Sequence, residues 1–356
     1  MMAKKIVLTG GGTAGHVTPN LALVPSLKEA GYEVYYIGSK NGIEKSLVED
    51  YGLPYSGVSS GKLRRYFDPK NFSDPFRIIK GYFEAKKLIK TIKPDIVFSK
   101  GGFVSVPIVK AAHSCHVPCI IHESDLTPGL ANKLCTSSAK KVCCNFPETV
   151  QYLPKSKAVH TGTPIRAELS TGSREAALSM CGFSPDKPVM VVIGGSLGAR
   201  NVNIMIRNFL DDILKSFQVI HICGKDNLEP SLEGKEGYRQ FEYIKDELKD
   251  VFAAADIVVS RAGANAICEL LYLKKPNLLI PLPTNGSRGD QLLNAASFES
   301  MGYSMVLKEE DIDHDTFMNA IHKLYENREE YSETMKKSPT ADSISIIMGL
   351  IKQYTK

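Results

Sequence analysis

The chain has 356 residues, longer than one compact core usually grows, so two domains are expected. With 43% hydrophobic and 23% charged residues and no low-complexity tract, the composition excludes a disordered or fibrous protein, and eight scattered cysteines, Cys143 and Cys144 adjacent, do not make a secreted disulfide framework. Net charge is only +5, but between Lys62 and Lys93 ten basic residues stand against three acidic ones, 10 − 3 = +7, more than the whole chain carries.

The opening Met-Met-Ala-Lys-Lys runs straight into a strand rather than into a signal-peptide core, and no apolar stretch approaches the length of a bilayer span. These features predict a protein of the cytosol or the inner membrane surface. Short apolar runs bounded by glycine then alternate with helical patterns, the mark of buried parallel strands. The predicted strands are 6–9, 34–37, 96–99, 119–122, 142–145, 189–193, 219–222, 257–260 and 278–281. The class they imply is α/β with parallel sheets.

Two internal echoes divide the chain. The strand followed by Gly11-Gly-Thr-Ala-Gly15 returns 183 residues later as a strand followed by Gly194-Gly-Ser-Leu-Gly198. A weaker echo, at an offset of 161, pairs Ile96-Val-Phe-Ser-Lys-Gly-Gly102 with Ile257-Val-Val-Ser-Arg-Ala-Gly263. Two similarly built, doubly wound halves follow, with the boundary near residue 163 and the glycine turns bordering a cleft between them.

Gly10, Gly12 and Gly15 form G-x-G-x-x-G, which reads either as a phosphate-holding loop or as a tight strand-to-helix turn. A dinucleotide fold needs an acid at the end of its second strand; here that strand runs into Gly38-Ser39-Lys40, which weakens a nicotinamide reading. Ser196 can cap a helix or bond a phosphate oxygen. Glu269 can take a ribose diol or simply face solvent. Asp290 and Gln291 can cap a helix or reach a sugar hydroxyl, and Arg166 offers a fork for phosphate. His113-Ser-Cys-His116-Val-Pro-Cys119 has a superficially zinc-like spacing, but it spans a helix end and the next strand with no second cluster to match. With Ser73 as a helix N-cap and Pro75 in the first turn, Phe72, Phe76, Ile79 and Phe83 recur at helical spacing with Lys80, Lys86, Lys87 and Lys90 around them. That stripe suits either an anionic leaflet or a core with a solvated basic face.

The ordered set GGTAGHVTPN, KGGFVSVP, HESDLTPGLANK, TGTPIR, GGSLGA, SRAGA with Glu269, and DQLLNA resembles the MurG family of peptidoglycan N-acetylglucosaminyltransferases over essentially the whole chain. The resemblance implies the GT-B fold, two Rossmann-like doubly wound domains facing across a cleft. It places an acceptor- and membrane-facing domain at 1–162 and a UDP-sugar-binding domain at 163–339, with a helix at about 340–356 returning to the first. It implies inverting transfer of N-acetylglucosamine from UDP-GlcNAc to the 4-hydroxyl of the muramyl sugar of the undecaprenyl-diphosphate-linked muramyl-pentapeptide, in cell wall synthesis. UDP-GlcNAc contacts carry over to Thr13, Ala14, Gly15, Arg166, Ser196, Ala264, Asn265, Glu269 and Gln291. His16 is the better base, being titratable near neutral pH, with a structural hydrogen bond as its other reading; Asp125 is the second base candidate. Many relatives have Asn at the position of Asp125, and Tyr at that of Phe103, so a hydroxyl contact there does not carry over. Helix N-termini and Arg166 can hold the leaving diphosphate, so neither a metal nor another cofactor is called for. The membrane patch is Phe72, Phe76, Ile79 and Phe83 with Lys80 and Lys87, on a peripheral protein of the cytoplasmic membrane face. Nucleic acid is not a partner; cell-wall synthesis proteins are partners by resemblance only. The alternatives are a UDP-GlcNAc 2-epimerase-like isomerase and a glycolipid glycosyltransferase.

Overall fold

A computed structural model describes residues 3–61, 74–195, 198–284, 289–340 and 342–355. Contacts divide the chain into two units, Met1–Arg166 with Asp342–Lys356, and Ala167–Ala341.

The first unit is built on seven strands: β1 (Lys4–Thr9), β2 (Tyr32–Ser39), β3 (Tyr55–Val58), β4 (Ile96–Ser99), β5 (Cys119–Glu123), β6 (Lys141–Cys144) and β7 (Ala158–His160). They pair in the order β3-β2-β1-β4-β5-β6-β7, every ladder parallel. Helices α1 (Thr18–Glu29), α2 (Ile43–Asp50), α3 (Asp74–Ile92), α4 (Ser105–Ser114) and α5 (Leu130–Thr136) make the crossovers. The second unit carries β8 (Val189–Ile193), β9 (Gln218–Ile222), β10 (Tyr238–Phe241), β11 (Ile257–Ser260), β12 (Asn277–Leu279) and β13 (Met305–Val306), in the order β10-β9-β8-β11-β12-β13, again parallel. Its helices are α6 (Arg174–Cys181), α7 (Arg200–Asn208), α8 (Leu210–Ser216), α9 (Leu248–Ala254), α10 (Ala264–Leu273), α11 (Asp290–Ser300), α12 (His314–Glu326) and α13 (Arg328–Lys336).

Both sheets are doubly wound with their order reversing at one gap, β1/β4 and β8/β11, where such folds bind ligands outside the strand carboxyl ends. The central strands are continuous apolar runs because both faces are covered: Ile6, Val7 and Leu8 of β1 and Val189 to Val192 of β8 are all fully buried. The last helix, α14 (Ser343–Tyr354), belongs to the first unit. Its Ile347, Met348 and Ile351 pack into the core under β1 and α1, and Ser343 Oγ donates to Thr163 O at 2.6 Å.

The helix α3 has two faces. Gly81, Ala85 and Ile89, four residues apart, are buried, while Phe76, Ile79 and Phe83 are 75%, 55% and 63% exposed. A Cβ on Gly81 would stand 2.0 Å from Ser59 O, so only glycine lets this helix approach the end of β3 so closely. Phe72 and Ser73 lie outside the described residues.

Candidate active site

In the first unit the loop after β1 is held by buried polar groups. Asn20 Nδ2 donates to Thr9 O at 3.0 Å, and Tyr36 Oη donates to Gly10 O at 2.8 Å. Beyond Gly12 the chain makes one short turn, Ala14–His16, before α1 starts with Pro19 in its first turn. The loop after β4 packs against it backbone to backbone. Gly102 has φ +81°, and a Cβ there would lie 2.3 Å from Gly11 O, which makes the position doubly dependent on glycine.

His16 stands at the end of that turn, partly buried, with Nδ1 2.9 Å from Thr13 Oγ1. If Thr13 Oγ1 accepts, the proton sits on Nδ1 and Nε2 carries the free lone pair, as a general base needs. Burial first and the Lys100 ammonium second push the imidazole pKa down to about 4, against the opposing pull of Glu44. His16 is therefore neutral at physiological pH.

Three groups that sequence reasoning missed organise this site. Glu44, fully buried, accepts from Ser39 N (2.9 Å) and Ser39 Oγ (2.5 Å) on Oε1 and from Gly12 N (3.2 Å) on Oε2. The acid that the end of the second strand lacks in sequence is thus supplied from α2, and it binds the loop's own amide rather than leaving it for a ribose. Lys100, at the end of β4, is 1% exposed and donates to His122 Nδ1 (2.9 Å), Ser124 Oγ (2.8 Å) and Thr163 Oγ1 (2.8 Å). His122, its pKa driven far down by burial and then by Lys100, gives its Nε2 proton to Gly162 O at 2.8 Å. Glu123 accepts from Ser124 N, Asp125 N, Gly129 N and Asn132 Nδ2 at 2.8 to 3.1 Å, so one buried carboxylate shapes the loop bearing Asp125. Asp125 itself is partly buried, and Arg166 is exposed.

In the second unit the loop after β11 leads into α10, with Ala264 buried at its start and Asn265 and Glu269 partly buried at i and i+4, on one helix face. Arg261 staples this loop. It donates to Ile280 O (3.1 Å) and Pro281 O (3.3 Å) and pairs with Glu309 at 2.5 Å. Gln291, in the first turn of α11, accepts from Leu282 N at 3.0 Å, and Asn294 Nδ2 donates to Ala262 O at 3.3 Å. The helix α11 thereby ties the two loops together. Ser196 lies outside the described residues.

Comparison with known proteins agrees with this layout. Residues 6–144 match the glycosyltransferase family 28 N-terminal domain and residues 189–348 its C-terminal domain. A UDP-N-acetylglucosamine--N-acetylmuramyl-(pentapeptide) pyrophosphoryl-undecaprenol N-acetylglucosamine transferase of Lachnospira eligens is 64% identical over 353 residues, covering 99% of this chain and 100% of its own. The chain belongs to the MurG family. Another MurG relative, from Lachnoclostridium phytofermentans, is 60% identical over 98% of this chain and 99% of its own length. The crystal structure of Acinetobacter baumannii MurG superposes with a TM-score of 0.78 at 25% identity, over 98% of this chain and 99% of that one. Within this family the glycine loops, the HESDLTPG segment and the SRAGA loop described above all lie in the matched regions, except that Thr163 and Arg166 fall between the two matches.

Proposed function

We propose that this chain transfers N-acetylglucosamine from UDP-GlcNAc to the 4-hydroxyl of the muramyl sugar on undecaprenyl-diphospho-muramyl-pentapeptide, with inversion at the donor carbon. The observation that carries the reading is the 64% identity over nearly the full length to a transferase of that name. The two switch-point loop systems give it chemistry.

The donor is assigned to the second unit. Glu269 takes the ribose hydroxyls, Asn265 and Ala264 lie beside the diphosphate, and Gln291, its carbonyl oxygen engaged by Leu282 N–H, offers its NH2 to a sugar hydroxyl. Ser196 and Arg166 complete the anion contacts, and Thr13, Ala14 and Gly15 meet the sugar end. His16, neutral and oriented by Thr13, draws the proton from the acceptor hydroxyl as the bond to the donor carbon forms and UDP leaves. Asp125 is the alternative base. The exposed Phe76, Ile79 and Phe83 with Lys80 and Lys87 dock the first unit on an anionic leaflet, where the lipid acceptor resides. The attachment is peripheral, at the cytoplasmic face; among the described residues no helix is long and apolar enough to cross a membrane.

The test is incubation with UDP-GlcNAc and a short-chain analogue of the lipid-linked acceptor. UDP release that depends on the analogue is expected. Sugar epimerisation without acceptor would overturn the reading in favour of an isomerase.

A further inference from the structure

The echo between the two units runs past their glycines. Adding the offset of 183 to Asn20 lands on Asn203, and each of the two stands in the first turn of the helix after its unit's glycine turn. Both are buried, at 0% and 2% exposure. The turns also match in backbone, since Gly12 and Gly195 both have φ +89°.

In the first unit Asn20 Nδ2 lies 3.0 Å from Thr9 O at the end of β1, 3.2 Å from Tyr36 Oη on β2 and 3.5 Å from His16 O at the far end of the turn. Tyr36 Oη gives its own proton to Gly10 O at 2.8 Å. One amide thus gathers both ends of the turn and the neighbouring strand. In the second unit Asn203 Nδ2 donates to Cys223 O, just past β9, at 2.9 Å. Its Oδ1 can only accept, so His221 Nε2 donates to it at 3.0 Å and His221 Nδ1 accepts from Tyr238 Oη at 3.0 Å. A Cβ on Gly198 would collide with the same Cys223 O, so the carbonyl that Asn203 holds is the surface on which the glycine turn rests. In both units the asparagine's side-chain partner sits on the strand beside the one that leads into the turn, Tyr36 on β2 next to β1 and His221 on β9 next to β8.

We propose that Asn20 and Asn203 are positioning residues, one in each unit, that hold the two glycine turns in the shape their ligands require. The inference rests on the transferase reading above, in which the first turn carries His16 and the second carries Ser196 to the donor. Each asparagine acts through backbone carbonyls of its turn or of the segment beneath it. Losing Asn20 releases the turn that presents the base, which acts on kcat. Losing Asn203 loosens the turn under the donor, which acts on donor affinity.

The experiment compares the full chain with N20L and N203L, which keep most of the side chain's volume and remove its amide. Y36F and Y238F each remove only a hydroxyl from the same two networks. The measurements are kcat and donor KM with UDP-GlcNAc and a water-soluble acceptor analogue, UDP binding by calorimetry, and Tm. N20L should lower kcat about 10- to 100-fold while donor KM and UDP Kd stay within about twofold of the unsubstituted chain. N203L should raise donor KM and UDP Kd at least about tenfold while kcat at saturating donor stays within about threefold. Y36F and Y238F should move the same parameters by less, and N20L/Y36F should be no worse than N20L alone. If a leucine variant does not fold, the phenylalanine variant of its network decides. A lower Tm with kcat and donor KM unchanged, or the same kinetic change in both units' variants, would overturn the inference. UDP binding lost in N203L and kept in N20L, with no acceptor-dependent turnover in the unsubstituted chain, would instead sink the transferase reading and leave the role of Asn203 standing.

Discussion

His16 sits between two buried charges of opposite sign, and that balance determines the pH at which it can act. Burial and Lys100 hold it neutral down to about pH 4, while Glu44 pulls the other way. A base works deprotonated, so activity should persist as pH falls through 6.5 and drop only on approach to about 4. His16→Ala should lower kcat roughly 10²- to 10⁴-fold with donor KM little changed. Lys100→Met should move the acidic limb of the kcat/KM profile upward, and Glu44→Gln should move it downward. A limb that ignores both substitutions would remove His16 as the base, leaving Asp125 to be tested. His16 and Asp125 were legible in the sequence as candidate bases, each a titratable group in a motif of the resemblance. Lys100 and Glu123 stand in quoted motifs too and Glu44 in none, but their roles were not legible, since a charged residue after an apolar strand reads as a surface group until its partners are seen. Glu44 in particular comes from α2, 32 residues beyond the amide it binds, and no local spacing reports such a contact.

At the scale of the element, the internal echoes proved to be topological. The glycine turns at an offset of 183 follow β1 and β8, and the second echo aligns β4 with β11, the two sides of each switch point. The echo even pairs Lys100 with Arg261, and both are buried cations that tie the end of one strand to the segment following its neighbour, Lys100 through Ser124 after β5 and Arg261 through Ile280 and Pro281 after β12. Nine strands could be read from the sequence. The four that could not, β3, β7, β10 and β13, are the edges of the two sheets. Covered on fewer sides, they are short and mostly half-buried, so they lack the continuous apolar run that marks a central strand. On α3 periodicity alone left the stripe's direction open, because the burying face is made of Gly81, Ala85 and Ile89 rather than of large residues. A Phe76→Ser, Phe83→Ser double variant should lose co-sedimentation with phosphatidylglycerol vesicles while keeping its Tm and its turnover of a soluble acceptor. Undiminished vesicle binding would move the membrane contact elsewhere.

The whole molecule carries an acid sensitivity that follows from where its histidines lie. Burial lowers the pKa of His16 to about 4 and of His221 to about 3, holds His122 well below its ordinary value, and depresses His160. Unfolded, each would protonate near 6.5, so below that pH the unfolded chain binds more protons and stability falls as pH drops from 6.5 toward 4. Glu123, its pKa raised chiefly by burial, acts with the opposite sign, protonating in the folded state first and recovering part of the loss near the bottom of that window. Calorimetry should show a Tm that falls as pH drops below 6.5, with uptake of about three protons on unfolding at pH 5. A Tm constant from pH 7.5 to 5 would contradict the buried, neutral state of these side chains.

Two doubly wound units, each with its loops at a switch point, suit the division of labour we propose between a nucleotide-sugar donor and a lipid-linked acceptor. The measurement that tests this most directly is the structure of the product made from UDP-GlcNAc and the short-chain acceptor analogue. Mass spectrometry should show one added N-acetylhexosamine for each UDP released, and the proton coupling at its anomeric carbon should report a β linkage, inverted from the α configuration of the donor. An α-linked product, or UDP-GlcNAc consumed without any modified acceptor, would contradict the account.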